Sequence, residues 1–264
     1  MESEVTSLRQ QKQHYLITGG GSGIGKAIAI RLAQEGAKVT VVARNVVRLQ
    51  ETVDEIESQG GEAQYLTCDI TANEQVHSVI AKAVDQFGPL RGVVANSGVG
   101  GANFPGPDDR FDLVVQTNIN GTYYTLRAAQ KHLIKDDAPT HMLVTSSCLG
   151  RFGVPGYTAY CASKSALLGM VRAFALELAK QNTQVNALCP GWVDTDMAWE
   201  GLQGMASGMG IPVEKAHEIA MRSVPLGRMS KPREIAGTVA WLVSDDGRGI
   251  TGQAIDINGG SWMG

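Results

Sequence analysis

The stretch HYLITGGGSGIGKAIAIRLAQEG, residues 14–36, reads in three parts. A short apolar run (14–18) has strand character, a glycine cluster follows, and apolar residues then recur at helical spacing until Gly36, a suitable helix stop. A strand that turns through glycines directly into a helix is the first unit of a nucleotide-binding α/β sheet. Gly19 permits the tight turn. Gly23 lets backbone approach a pyrophosphate, and Gly25 lets the helix pack closely on the sheet. Ser22 and Ile24 lie between them. The spacing is T-G-x-x-x-G-x-G and lacks the G-K-[ST] ending of a P-loop.

The same alternation continues outward. Strands are expected at 38–43, 63–69, 90–98, 141–147, 184–191 and 252–260. Helices are expected at 46–59, 73–88 with Asn73 as N-cap, 111–135, 157–180 and 231–244, where Pro232 falls in the first turn. Apolar strands separated by helices predict an α/β fold: a doubly wound parallel sheet with helices on both faces. No composition break divides the chain, so residues 14–264 read as one domain behind a short polar, frayed arm at 1–13. Residues 196–224 are irregular, rich in Gly and Met, with a helical second half, and sit where a substrate lid belongs. Their apolar members Met197, Trp199, Leu202, Met205 and Met209 suit either a bulky substrate or packing against protein.

Hydrophobic residues make up 43% of the 264, and the net charge is −3. No nucleic-acid footprint and no membrane span is expected. The polar N-terminus is unlike a secretory signal, which suggests a cytoplasmic protein. Cys68, Cys148, Cys161 and Cys189 are scattered in or beside apolar segments and read as free thiols. The five histidines have no ligand spacing, so no metal is expected.

The second strand ends in VVARN, with Arg44 where a ribose-binding carboxylate would select NAD. A guanidinium suits a 2′-phosphate, so NADP(H) is preferred, with NAD(H) possible. In YTAYCASK (157–164), Tyr160 lies four residues before Lys164, on one helix face. A cation beside a phenol makes it more acidic.

Seven motifs then fall in order: TGGGSGIG (18–25), CD-I (68–70), ANSG (95–98), N-I-N-G (118–121), SS (146–147), Y-C-A-S-K (160–164) and CPGWVDT (189–195). Together they resemble the short-chain dehydrogenase/reductase family over residues 14–262. The resemblance implies a Rossmann sheet of about seven strands in the order 3-2-1-4-5-6-7. It implies Tyr160 as acid/base and Lys164 as the residue that binds the nicotinamide ribose and acidifies it. Ser147 would bond the substrate oxygen, and Asn118 would hold a water in the proton path. Gly19, Ser22, Gly23, Ile24 and Gly25 would cradle the cofactor phosphates, and Arg44 would hold the 2′-phosphate. Asp69 and Ile70 would contact adenine, Asn96 and Gly98 would flank the cofactor, and Pro190, Gly191, Val193 and Thr195 would border the nicotinamide and diphosphate. Tyr157 would line the substrate pocket, whereas Ser146 would face away from it. ANSG departs from the commoner N-N-A-G, and Ala95 gives up one hydrogen-bonding side chain.

The segments SGVGGANF (97–104) and SVPLGRMSKPREIAG (223–237) are similar to those of 3-oxoacyl and polyketide ketoreductases. The expected activity is NADPH-dependent reduction of a ketone, β-keto or cyclic, to a secondary alcohol. Oxidation of a hydroxysteroid, alicyclic or sugar alcohol and a non-catalytic dinucleotide sensor are the alternatives. Family members are commonly homotetramers paired through the helices at 111–135 and 157–180, so a tetramer or dimer is expected.

Overall fold

The structure, a computed structural model, describes residues 9–264. Seven strands form one parallel sheet: β1 (His14–Thr18), β2 (Lys38–Ala43), β3 (Glu62–Thr67), β4 (Gly92–Ala95), β5 (Thr140–Thr145), β6 (Thr183–Pro190) and β7 (Ala254–Ile257), in the order β3-β2-β1-β4-β5-β6-β7. Parallel strands need helical crossovers, and these cover both faces. Alternation along β1 shows the division: Tyr15 and Ile17 enter one core and Leu16 the other. The first core packs under α1 (Gly23–Gln34), α2 (Val46–Ser58) and α9 (Pro232–Leu242), through Ile28, Leu32, Leu49, Ile56 and Val239. The second packs under α3 (Asn73–Phe87), α5 (Thr122–Gln130) and α6 (Thr158–Leu178), through Val79, Ile80, Leu126, Val171 and Phe174. Each large aliphatic chain buried in this way contributes about 1.5–3 kcal/mol.

Several local expectations change. The helix foreseen at 111–135 is broken into α4 (Phe111–Val115), a π-helical turn (Gln116–Gly121) and α5. The chain then leaves the helix, and Leu133 forms an isolated bridge with Leu90. Asn73 is not the N-cap of α3: Ala72 holds that position, with no side-chain cap. The segment 196–224 is helical in both halves, as α7 (Asp196–Met209) and α8 (Val213–Met221). Thr195 caps α7 by accepting from the Ala198 N–H, and Gly210 ends it at φ +66°. Leu202, Ala220, Met221, Val224 and Met229 give this pair a small core of its own. Packing thus offsets the helix cost of Gly201, Gly204 and Gly208, each about 1 kcal/mol.

Residues 1–8 lie outside the described residues. The rest of the expected arm is docked rather than frayed. Gln10 is buried, its amide donates to the Val243 carbonyl, and its carbonyl oxygen accepts from the Tyr15 hydroxyl at 2.6 Å. Gln13 accepts from Arg91 at 2.7 Å. Tyr15 and Arg91 are buried polar groups, and these contacts satisfy them.

Two buried histidines in the strands, His14 of β1 and His141 of β5, are held neutral. His14 Nδ1 lies 2.7 Å from the Gly88 carbonyl and Nε2 2.8 Å from the Thr40 hydroxyl. A carbonyl only accepts, so Nδ1 carries the proton and Nε2 accepts. Burial lowers the pKa of His14, and separately of His141, to about 4. An unfolded histidine titrates near 6.5, so between roughly pH 6.5 and 4 the unfolded chain binds more protons. Stability should be full above about pH 7 and fall on acidification through that window. Urea titrations at pH 6 and 5, inside that window, test this. The expected slope corresponds to about two protons taken up on unfolding, reduced by about one in His141→Gln. An unchanged slope in the variant would rule out His141 as a source.

Candidate active site

The expected site residues lie at the carboxyl ends of the strands, around the switch point where the order reverses between β1 and β4. The glycine turn after β1 is compressed as its sequence requires. A methyl group on Gly25 would lie 2.3 Å from the Gly19 carbonyl oxygen and 2.6 Å from Asn96 Nδ2. One on Gly23, at φ +52°, would lie 3.1 Å from the Thr195 methyl. Ser22 makes no side-chain cap on α1, and the first turn of α1 holds no acidic residue. The N-terminal N–H groups therefore face the turn without a competing anion, the arrangement that suits a phosphate.

Asn96 joins three strands. Its Nδ2 donates to the Thr18 carbonyl (3.1 Å), its main-chain N–H donates to Thr18 Oγ1 (3.0 Å), and its Oδ1 accepts from Thr145 Oγ1 (3.1 Å). The Thr145 carbonyl in turn accepts from Lys164 Nζ at 2.8 Å. Lys164 lies on α6 and is buried, and its Nζ is 5.5 Å from the centre of the Tyr160 ring. Burial lowers the Lys164 ammonium to about 8. It also raises the Tyr160 phenol to about 12, against a smaller lowering effect of the Ser147 hydroxyl. The expected acidification of Tyr160 by Lys164 is therefore not seen in the protein alone: desolvation outweighs it, and Nζ is turned to a carbonyl.

Ser147 is extended at the end of β5, beside Tyr160, and its hydroxyl accepts from the Leu149 N–H at 3.1 Å. Ser146 faces away, as expected, and donates to the Lys164 carbonyl at 2.8 Å. Asn118 is buried in the π-helical turn. Its Oδ1 accepts from the Val99 N–H (2.8 Å), and its Nδ2 donates to the Val99 carbonyl and to Ser163 Oγ (3.0 Å each). This carboxamide fixes the loop after β4. Gly98 fits between the two groups: a methyl there would sit 3.1 Å from Asn118 Oδ1 and 3.4 Å from Lys164 Nζ.

The remaining expected contacts are placed as follows. Arg44 is exposed at the end of β2, within electrostatic reach of Asp69. The Asp69 carboxylate accepts from the Thr71 N–H and hydroxyl, which holds it below the usual carboxylate range. The Ile70 side chain is buried under Gly121, which leaves its main chain for a ligand. Gly191 packs on Asn258, Val193 is buried, and Pro190 ends β6. Tyr157 stands at the start of α6, close enough to Tyr160 to affect its charge.

The structure gives individual places to residues that the sequence marked only by segment, and adds Arg48. A methyl on Gly100 would lie 3.4 Å from Met197 Sδ and 3.7 Å from Tyr160 Cε2, so Gly100 and Met197 wall the space beside the phenol. The Arg48 guanidinium meets Asp196 at 2.9 Å, between α2 and the start of α7. Of the apolar residues of α7, Leu202 is buried in the small core shared with α8, whereas Met197, Trp199 and Met209 are exposed. Trp199 stacks on His217 at 5.6 Å.

A glycine cradle at the switch point, with a phenol and an ammonium beyond it, defines a dinucleotide-binding α/β oxidoreductase. Residues 19–261 match the family profile described as Enoyl-(Acyl carrier protein) reductase. The chain belongs to the short-chain dehydrogenase/reductase family. It is 35% identical over 257 residues to the 3-oxoacyl-[acyl-carrier-protein] reductase of Thermotoga maritima, covering 96% of this chain and 99% of that one. It is 36% identical to a probable tetrahydroxynaphthalene reductase of Zymoseptoria tritici, over 94% of each chain. Among solved structures, a single-site variant of actinorhodin polyketide ketoreductase with NADPH superposes with a TM-score of 0.90 at 33% identity, over 94% of this chain and 97% of that one.

Asn96→Ala removes both side-chain bonds that tie β4 to β1 and β5. The expected cost is about 1–3 kcal/mol, read as a lower urea midpoint. A midpoint equal to wild type would show that the strand ends do not depend on this carboxamide.

Proposed function

We propose that the protein is an NADPH-dependent ketoreductase that converts a ketone to a secondary alcohol. The observation that carries this reading is the placement of Tyr160. Its ring centre lies 5.5 Å from the Lys164 ammonium and its hydroxyl beside that of Ser147, past the glycine cradle at the sheet's switch point. That arrangement is set to give a proton to an oxygen as negative charge develops on it.

The chain's residues fit the dinucleotide. The bare cradle of Gly19, Gly23 and Gly25 and the open α1 N-terminus suit the diphosphate. Arg44 would meet the 2′-phosphate, with Asp69, Ile70, Asn96, Gly98, Pro190, Gly191, Val193 and Thr195 around the rest. Bound NADPH supplies the hydride. The protein's own part is to hold the ketone oxygen between Ser147 and Tyr160 and to deliver the phenolic proton. Lys164 then stabilises the phenolate left behind. Asn118 keeps the Val99 loop in place beside it. The names of the relatives support a β-keto thioester or a cyclic ketone as substrate, with Gly100, Met197 and Tyr157 at the pocket wall and α7–α8 as lid. The exposed Leu176, Tyr123 and Leu113 support a homo-oligomer paired through the α4–α5 and α6 faces. Among the described residues, no helix is long and apolar enough to cross a membrane. Cys68, Cys148, Cys161 and Cys189 are free thiols, which supports a reducing, cytoplasmic setting.

The test is NADPH oxidation across β-keto thioesters, cyclic ketones and enoyl thioesters, with secondary alcohols and NADP⁺ for the reverse direction. Turnover of enoyl thioesters alone, or of alcohols alone, would overturn the ketoreductase reading. Tyr160→Phe should lower kcat by about 10²–10⁴-fold while NADPH binding stays nearly unchanged. Wild-type rates in that variant would remove Tyr160 from the role.

The Lys164 pKa sets a pH dependence. Its ammonium is present below about 8 and is lost above it, so kcat/KM for reduction should fall as pH rises through that value. Lys164→Arg stays charged, so any residual activity should lack that alkaline limb. An identical limb in the variant would assign it to another group.

Arg44→Asp should raise the KM for NADPH by about 10–100-fold, the worth of one charge-assisted contact, and improve use of NADH. An unchanged cofactor preference would show that Arg44 does not meet the 2′-phosphate.

A further inference from the structure

We propose that Asn103 is a positioning residue for Tyr160, supplying from the substrate loop the cap that the catalytic helix lacks. The inference rests on Tyr160 as the proton donor. Helix α6 begins at Thr158 with Tyr157 as its N-cap residue, and Tyr157 makes no side-chain cap. The first N–H groups of a helix have no partner within it. Here the Ala159 N–H donates to Asn103 Oδ1 at 2.9 Å, across 56 residues of sequence. Ala159 is buried and directly precedes Tyr160, so this bond fixes the backbone turn from which the phenol projects.

Asn103 is itself held on two further sides. Its main-chain N–H donates to the Gly156 carbonyl at 2.8 Å. Its Nδ2 donates to Asp109 Oδ1 at 3.2 Å, and that oxygen also accepts from the Phe111 N–H at the start of α4. The Phe104 ring packs against Gly156, where a methyl would lie 3.1 Å from the ring. The loop after β4 is thus pinned at both ends to the catalytic elements. Asn118 grips Val99, and Asn103 grips the start of α6. Between the pins lies Gly100, against Tyr160 and Met197. A substrate that presses on this loop acts on the tyrosine through Asn103.

A positioning role predicts a loss in kcat rather than in cofactor affinity. A misplacement of about 1 Å at a reacting group costs on the order of 10²-fold. Asn103→Leu, close in size but without the acceptor, should lower kcat by about 10–100-fold, with the Kd for NADPH unchanged by fluorescence titration. The exchange variant Asn103→Asp with Asp109→Asn keeps an acceptor for Ala159, a donor–acceptor pair across the loop and the net charge. It should recover most of the lost kcat. A rise in KM alone for Asn103→Leu, or no recovery in the exchange variant at an equal melting temperature, would overturn the proposal. Tyr160→Phe measured beside them separates the two readings. If it is active, the assignment of the proton donor fails. If it is inactive while Asn103→Leu is fully active, only the positioning role fails.

Discussion

The Asn96 carboxamide is the contact on which the site depends. Strands β1 and β4 are neighbours in the sheet, but the chain runs in opposite directions away from this seam, so their ends open a crevice. Something must hold the strand ends together without filling the crevice, and a side chain of this size with one donor and one acceptor does so. It bonds to Thr18 on β1 and Thr145 on β5, and Thr145 passes the link to Lys164. The same Nδ2 forms the floor against which Gly19 and Gly25 pack. One amide therefore bears on both the depth of the glycine turn and the position of the Lys164 ammonium. Because the partners are polar and partly buried, losing one bond strands the others, and the network is worth more than its pairs.

Burial explains why the two reactive groups titrate as they do. A phenol prefers to keep its proton when desolvated and an ammonium prefers to lose its own. Tyr160 rises and Lys164 falls, so the two pKa values, close together in water, are driven apart to about 12 and about 8 by different costs of the same environment. Any negative charge that develops nearby repays the ammonium first. The π-helical turn serves this geometry too. It widens the helix at Asn118, and such turns occur where a helix must present a group that regular spacing would misplace. Regular packing of α4 and α5 is given up to aim one carboxamide at Val99.

The sheet was legible because its strands are apolar on both faces and its turns carry glycine. Those signals are local, and β1 through β6 fall within a residue or two of their expected bounds, apart from the turn residues read into the 90–98 segment. Failures came where distant packing overrode local preference. Met- and Gly-rich α7 reads as irregular, yet a buried Leu202 and a Thr195 cap make it helical. Asn73 is a good cap by type, but the chain direction places it one residue inside α3. The polar arm reads as frayed because the partners of Gln10 and Gln13, Val243 and Arg91, are remote in sequence. The site divides in the same way. Tyr160, Lys164, Ser147 and Asn118 stand in motifs. Gly100, Asn103 and Met197 fall in segments that the sequence marks only as a whole, and Arg48 in none, because each acquires its own meaning from a residue far along the chain.

This division bears on how specificity is built. The groups proposed for chemistry sit on strand ends and on a helix braced by the sheet, the stiffest parts of the fold. The unit proposed as a lid is different. Helices α7 and α8 share a private core, so they hold together as a unit. Their links to the body include the exposed pairs Arg48–Asp196 and Lys231–Asp194 and the bridge of Val193 with Ser230. Exposed ion pairs are worth only about 0–1 kcal/mol each. A unit that is internally packed and tied to the body in part by exposed pairs suits the proposed role of a lid. The exposed faces of Met197, Trp199 and Met209 leave apolar surface on this unit for the proposed substrate to bury. Met197 and Tyr160 both border Gly100, so the apolar surface of this unit and the phenol meet at one point of the fold.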